Sequence, residues 1–106
     1  MATQEAIAGA ETAASHADRV LEDWTDRAYQ FLIDSRNEYV LRGMTFMTED
    51  IRIAAEQAGL PPPPDRRAWG AVVLRARKRN VIHVAGFAPV KDRRSHGGPK
   101  YVWRFA

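Results

Sequence analysis

Four consecutive prolines, Pro61 to Pro64, constrain this chain more than any other feature. Proline lacks a backbone N–H and has a locked φ, so no helix interior or central strand can run through the stretch. Four in a row hold a stiff, extended segment. Before it, Thr48 reads as a helix N-cap, with Glu49 and Asp50 in the first turn where the helix dipole favours negative charge. Ile51, Ala54, Ala55 and Ala58 recur at spacings of three and four, and Gly59 with Leu60 reads as a left-handed stop. After it, Pro64 suits the first position of a second helix, with Asp65 in its first turn. That helix is predicted to reach about Arg79, with Asn80 as its cap. Ala68, Trp69, Val72, Val73 and Ala76 form its buried stripe, and Arg67, Ala71, Arg75 and Lys78 share the opposite side. Gly70 lies beside them. A helical glycine costs about 1 kcal/mol against alanine, so something is expected to come close there, either another helix or a nucleic-acid backbone.

Downstream, Val81 to Phe87 alternates and is rich in β-branched residues, which predicts a strand with Ile82 and Val84 inward. Ala88 to Pro99 reads as a long hairpin loop carrying Lys91, Arg93, Arg94 and His96. Tyr101 to Phe105 is the return strand, with Tyr101, Trp103 and Phe105 on one face. Upstream, residues 1–16 are rich in Ala, Thr, Ser and Glu and are expected to form a disordered N-terminal arm, because they offer too little apolar bulk to order themselves. From Ala17 the pattern is helical. Val20, Leu21, Trp24, Ala28, Phe31, Leu32 and Ser35 make an apolar stripe behind an acidic solvent face. Residues 37–44 read either as an extension of this helix to a stop at Gly43 or as a loop, and Thr45 to Met47 as a first short strand.

A chain of 106 residues makes one small domain, assigned here to residues 17–106. Without cysteine it has neither a disulfide framework nor a thiolate metal site. No signal-peptide pattern and no membrane-length apolar run occur, which predicts a cytoplasmic protein without a membrane partner. The net charge of +3 hides an asymmetry. Residues 1–60 carry five basic and eleven acidic side chains, a net of −6, whereas residues 61–106 carry eleven basic and two acidic ones, a net of +9. Such a split points to a polyanion at the basic half. The plainer reading is an acidic helix packed beside a basic one. No convergent acid–base set is visible. His16, His83 and His96 fall in an arm, a strand and a loop, and Glu22-Asp23 and Glu49-Asp50 read as helix surface and helix start. The chain is accordingly read as a non-enzymatic protein needing no metal or other cofactor.

The segment TEDIRIAAEQAGLPPPPDRRAWGAVVLRARKRNVIHVAGF, a basic loop with SHGG, and a closing VWRF resemble small winged helix-turn-helix proteins of phages and prophages. The likeness covers about residues 45–105 and rests on Thr48, Pro62-Pro63, Ala68-Trp69-Gly70, Ile82, His96 and Trp103-Arg104. Arg67, where asparagine is expected, and the four prolines depart from it. The resemblance implies an α+β winged helix with three main helices, a small antiparallel sheet and a basic wing. On that frame Arg66 and Arg67 reach base edges, Arg75 and Lys78 reach phosphates, and Gly70 and Ala71 lie against the duplex. Lys91, Arg93, Arg94, His96 and Lys100 form a cationic wing. The expected function is duplex DNA binding in phage or prophage replication or transcription regulation, in the host cytoplasm. The alternative is a protein-interaction winged helix, an inhibitor or adaptor that docks on a host or phage protein through its acidic first helix.

Overall fold

A computed structural model describes residues 4–88 and 100–106. The chain is α+β. In order it forms α1 (Gln4–Val20), α2 (Trp24–Asp34), α3 (Arg36–Leu41), α4 (Thr48–Gln57), α5 (Ala68–Lys78), β1 (Ile82–Ala88) and β2 (Lys100–Phe105). Among the described residues there are thus four longer helices and the short α3, where three main helices were expected.

The additional helix is the main correction. Residues 4–16, read as part of a disordered arm, belong to α1, whose Ala10, Ala13, Ala14 and Ala17 are buried. Alanine has the highest helix propensity, and a seam of methyl groups lets two backbones come close without large side chains. The partner is α5. A Cβ placed on Gly70 would stand 3.2 Å from the Ala10 Cβ, so the close approach expected at that glycine is made by a helix of the same chain.

The single helix expected from Ala17 to Ser35 is also broken. Asp23 adopts a left-handed conformation (φ 54), which aspartate tolerates better than most residues. The turn is closed by the Leu21 N–H to the Ala17 carbonyl (2.7 Å) and by the Thr25 N–H to Asp18 Oδ1 (2.8 Å). Val20, expected on the buried stripe, is exposed. The turn folds α1 back onto α5. Beyond it Trp24, Ala28 and Leu32 are buried, and Ser35, its Oγ donating to the Phe31 carbonyl (2.9 Å), joins α2 to α3. Of the two readings of residues 37–44, the helical extension holds as far as Leu41, with Gly43 in the left-handed region just beyond.

Thr45 to Met47 supplies a single antiparallel bridge. Phe46 exchanges both backbone hydrogen bonds with Trp103 of β2, at 2.9 and 2.7 Å. The cap of α4 is Met47, one residue earlier than expected, and its N–H donates to Asp50 Oδ2 (2.8 Å). Thr48 is instead the first helical residue and its Oγ1 accepts from Trp103 Nε1 (3.3 Å). The stop at Gly59 (φ 104) and Leu60 forms as read, with the Leu60 N–H reaching the Ala55 carbonyl.

The proline segment follows α4 without regular secondary structure, and its Pro61 carbonyl accepts from Trp24 Nε1 (2.9 Å). Helix α5 begins at Ala68, not Pro64. Residues 65–67 make a tight lead-in, because the Asp65 carboxylate takes the Arg67 N–H (2.9 Å) and its carbonyl takes the Ala68 N–H. The whole expected stripe of α5 is buried, and Trp69 meets Trp24 edge to face with ring centroids 5.4 Å apart. Strands β1 and β2 pair antiparallel with a bulge between Val84 and Gly86, and Tyr101, Trp103 and Phe105 share the face that carries Ile82 and Val84. Ile82, Trp103 and Phe105 are buried.

Candidate nucleic-acid interface

The expected contact residues within the described part of the chain fall on the turn before α5, on α5 itself and on β2. Arg66 is exposed in the turn before the helix. Arg67 is also exposed, but its guanidinium is engaged: Nε and Nη2 both donate to Asp65 Oδ2, at 2.9 and 2.7 Å. The pair holds the Asp65 carboxyl below its ordinary pKa and the arginine above its own. Reading guanine takes two donors of one guanidinium, and of the five on Arg67 those of Nη1 and the second of Nη2 are not used by Asp65. Gly9 of α1 lies beside it; a Cβ there would stand 3.3 Å from Arg67 Nη1.

Further along, α1 lies over the side of α5 turned away from the core. Gly70 sits under Ala10, and Ala71, Leu74, Arg75 and Lys78 form one wall of a groove whose other wall is Glu11, Ala14, Ser15 and Asp18. Thr25 lines the same groove, and its buried hydroxyl has no hydrogen-bond partner among the described residues. Gly70 and Ala71, expected against a duplex, are therefore packed against or screened by a helix of this chain. Arg75 is likewise committed. Its Nη1 donates to Asp26 Oδ1 (3.0 Å) and its guanidinium lies 5.4 Å from the Tyr29 ring centroid. Lys78 is exposed at the open end of the groove.

Two further arginines, Arg77 and Arg79, are anchored on aromatic rings. Arg79 lies 5.1 Å from the Tyr29 centroid, and Arg77 lies 5.8 Å from Tyr101 and 5.9 Å from Trp103. On the hairpin, Lys100 is exposed, and exposed Arg104 stands in register with His83. Phe87 is exposed at the open end of β1 and stacks on Tyr101. Lys91, Arg93, Arg94 and His96 lie outside the described residues.

The sequence reading missed the groups that face the cations from across the fold. Asp26 and Tyr29 stand one helical turn apart on α2, a spacing visible in the sequence, but nothing local connects them to a helix some fifty residues on. The same holds for Glu11 and Asp18.

Among the described residues, no three His, Asp or Glu side chains gather closely enough to hold a metal ion, and no helix is long and apolar enough to cross a membrane. What the described surface offers is arginine and lysine side chains beside aromatic rings. No family model, curated protein sequence or solved structure matches the chain.

Proposed function

We propose that the chain is a winged-helix domain that binds duplex DNA without catalysing a reaction on it. The observation that carries this reading is the order and pairing of its elements. A strand residue after α3 bridges to β2, a helix pair follows across a rigid turn, and a hairpin closes the fold. On that frame α5 takes the place of the recognition helix, and β1 and β2 take the place of the strands that flank the wing. The charge distribution supports the assignment, because residues 61–106, the part of the chain that contains those elements, carry a net +9. The resemblance to phage and prophage winged helices sets the proposed setting, replication or transcription regulation in a host cytoplasm. Arg66, Lys78, Lys100 and Arg104 are the described cations most open to phosphate.

The test is binding of a fluorescein-labelled random duplex, followed by anisotropy between 50 and 200 mM salt. If about five phosphates are contacted, log affinity falls against log salt with a slope of about −4 to −5. A second reading, a protein-docking winged helix, is favoured by one feature: Val40, Leu41 and Met44 stand exposed around the end of α3, with Leu41 86% exposed. Of the acidic helix segment through which that reading would dock, Trp24 and Leu32 are buried and unavailable to a partner. Absence of duplex binding at 50 mM salt would decide for the docking reading.

A further inference from the structure

Under the DNA-binding reading just given, on which this step rests, one contact stands in the way. The side of α5 that has to approach a duplex is occupied by α1. Ala10 packs on Gly70, Gly9 lies against Arg67, and Glu11 and Asp18 stand across a groove from Arg75 and Lys78. We infer that α1 is a dissociable cover on the nucleic-acid face of α5, and that duplex DNA and α1 compete for that face.

Three observations make the cover removable. First, its four buried residues are all alanines, so although Ala13, Ala14 and Ala17 join the core cluster, undocking exposes methyl groups and no large side chain of its own. Second, the buried Thr25 hydroxyl in the groove has no hydrogen-bond partner among the described residues, an unfavourable burial that water relieves when the groove opens. Third, a turn rather than continuous helix joins α1 to α2 at residues 21–23, so α1 can leave without unwinding α2. The occupant also suits its place. Its carboxylates at Glu11 and Asp18 stand where backbone phosphates would meet Arg75 and Lys78. A covered face lowers apparent affinity in proportion to the fraction of molecules that are open.

The geometry supplies its own lock. The Ala10 Cβ and a Cβ on Gly70 are 3.2 Å apart, so a shift of a few tenths of an ångström brings them to the roughly 3.5–4.5 Å of a disulfide, and the native chain has no cysteine to interfere. A full-length Ala10→Cys, Gly70→Cys protein is to be titrated with the random duplex after oxidation and again after reduction. The expected result is at least a tenfold loss of affinity on oxidation, recovered on reduction. A second variant, Ala10→Glu, pushes α1 off at a residue outside the main core cluster, and is expected to bind at least about tenfold more tightly than the native protein. Hydrogen exchange gives an independent readout: duplex should strip protection from α1 amides while those of α4 stay protected. Equal binding by the oxidised and reduced forms, or a bound complex in which α1 stays protected, overturns the cover and leaves DNA binding standing. Failure of every form to bind duplex at 50 mM salt overturns the DNA-binding reading and the cover with it.

Discussion

The two sides of α5 are sealed by opposite means. Its inner side presents Trp69, Val72 and Val73 to Trp24 and the rest of the core, and is closed by volume. Its outer side presents Gly70 and Ala71 to the alanines of α1, and is closed by proximity. A seal of volume contributes strongly because each large side chain removes much apolar surface from water, about 1.5–3 kcal/mol per residue. A seal of proximity gains only methyl-sized burial and dispersion, and tolerates no bulk. The same helix thus has one side sealed by large side chains and one covered by alanines, of which Ala13, Ala14 and Ala17 join the core cluster with methyl-sized burial.

The sharpest way to break this contrast is at Trp69. Trp69→Ala is expected to destabilise the protein by about 3–5 kcal/mol, enough to abolish cooperative folding in a small domain. Urea unfolding checks it, and a variant with a native midpoint would show that the inner side is not sealed by volume. Gly70→Leu probes the outer side. The new side chain has no space beneath Ala10, so a cost of about 1–3 kcal/mol is expected. It should be confined to α1, whose amides lose exchange protection while those of α4 keep theirs. Loss of protection throughout the protein would mean that α1 is as integral as the core.

The smallest effect belongs to the lead-in of α5. Asp65 has a lowered native pKa because Arg67 hydrogen-bonds its ionised form, so its contribution is present above the ordinary aspartate range and disappears as pH falls through the lowered native value. Arg67 is well exposed and the pair is screened, so Asp65→Asn should cost no more than about 0.5 kcal/mol at neutral pH, and less in acid. Thermal melts of both proteins from pH 7 down to pH 2 read this directly. A gap that widens on acidification would contradict the pairing.

The inner side was legible in the sequence, and the outer one was not. Periodicity of large residues identified the whole stripe of α5, the alternation of Tyr101 to Phe105 gave the face of β2, and Gly59-Leu60 marked the end of α4. Each signal comes from side chains whose burial is large enough to leave a pattern. The alanine seam leaves none, since Ala10, Ala13, Ala14 and Ala17 read equally well as a weakly apolar tail. Gly70 gave the one legible hint, and the sequence left open whether helix or nucleic acid would approach it. The left-handed Asp23 was hidden because aspartate breaks a helix only sometimes, and here Glu22-Asp23 also suited an acidic helix face. The Arg67–Asp65 pair lay within reach of local reasoning, two residues apart. The Arg75–Asp26 pair did not, since only the docking of α2 beside α5 creates it.

Strand β2 carries a consequence for the order in which the molecule can be made. Trp103 pairs with Phe46 and donates its indole N–H to Thr48, a partner synthesised 55 residues earlier. At about 5–20 residues per second, the bridge residue and α4 leave the ribosome roughly 3–11 seconds before the strand that completes them. During that interval Phe46 lacks the Phe105 ring that covers it in the finished fold. The nascent chain therefore waits with an aromatic surface open, and a stalled or truncated product ending before Lys100 would expose that surface permanently to chaperones and proteases.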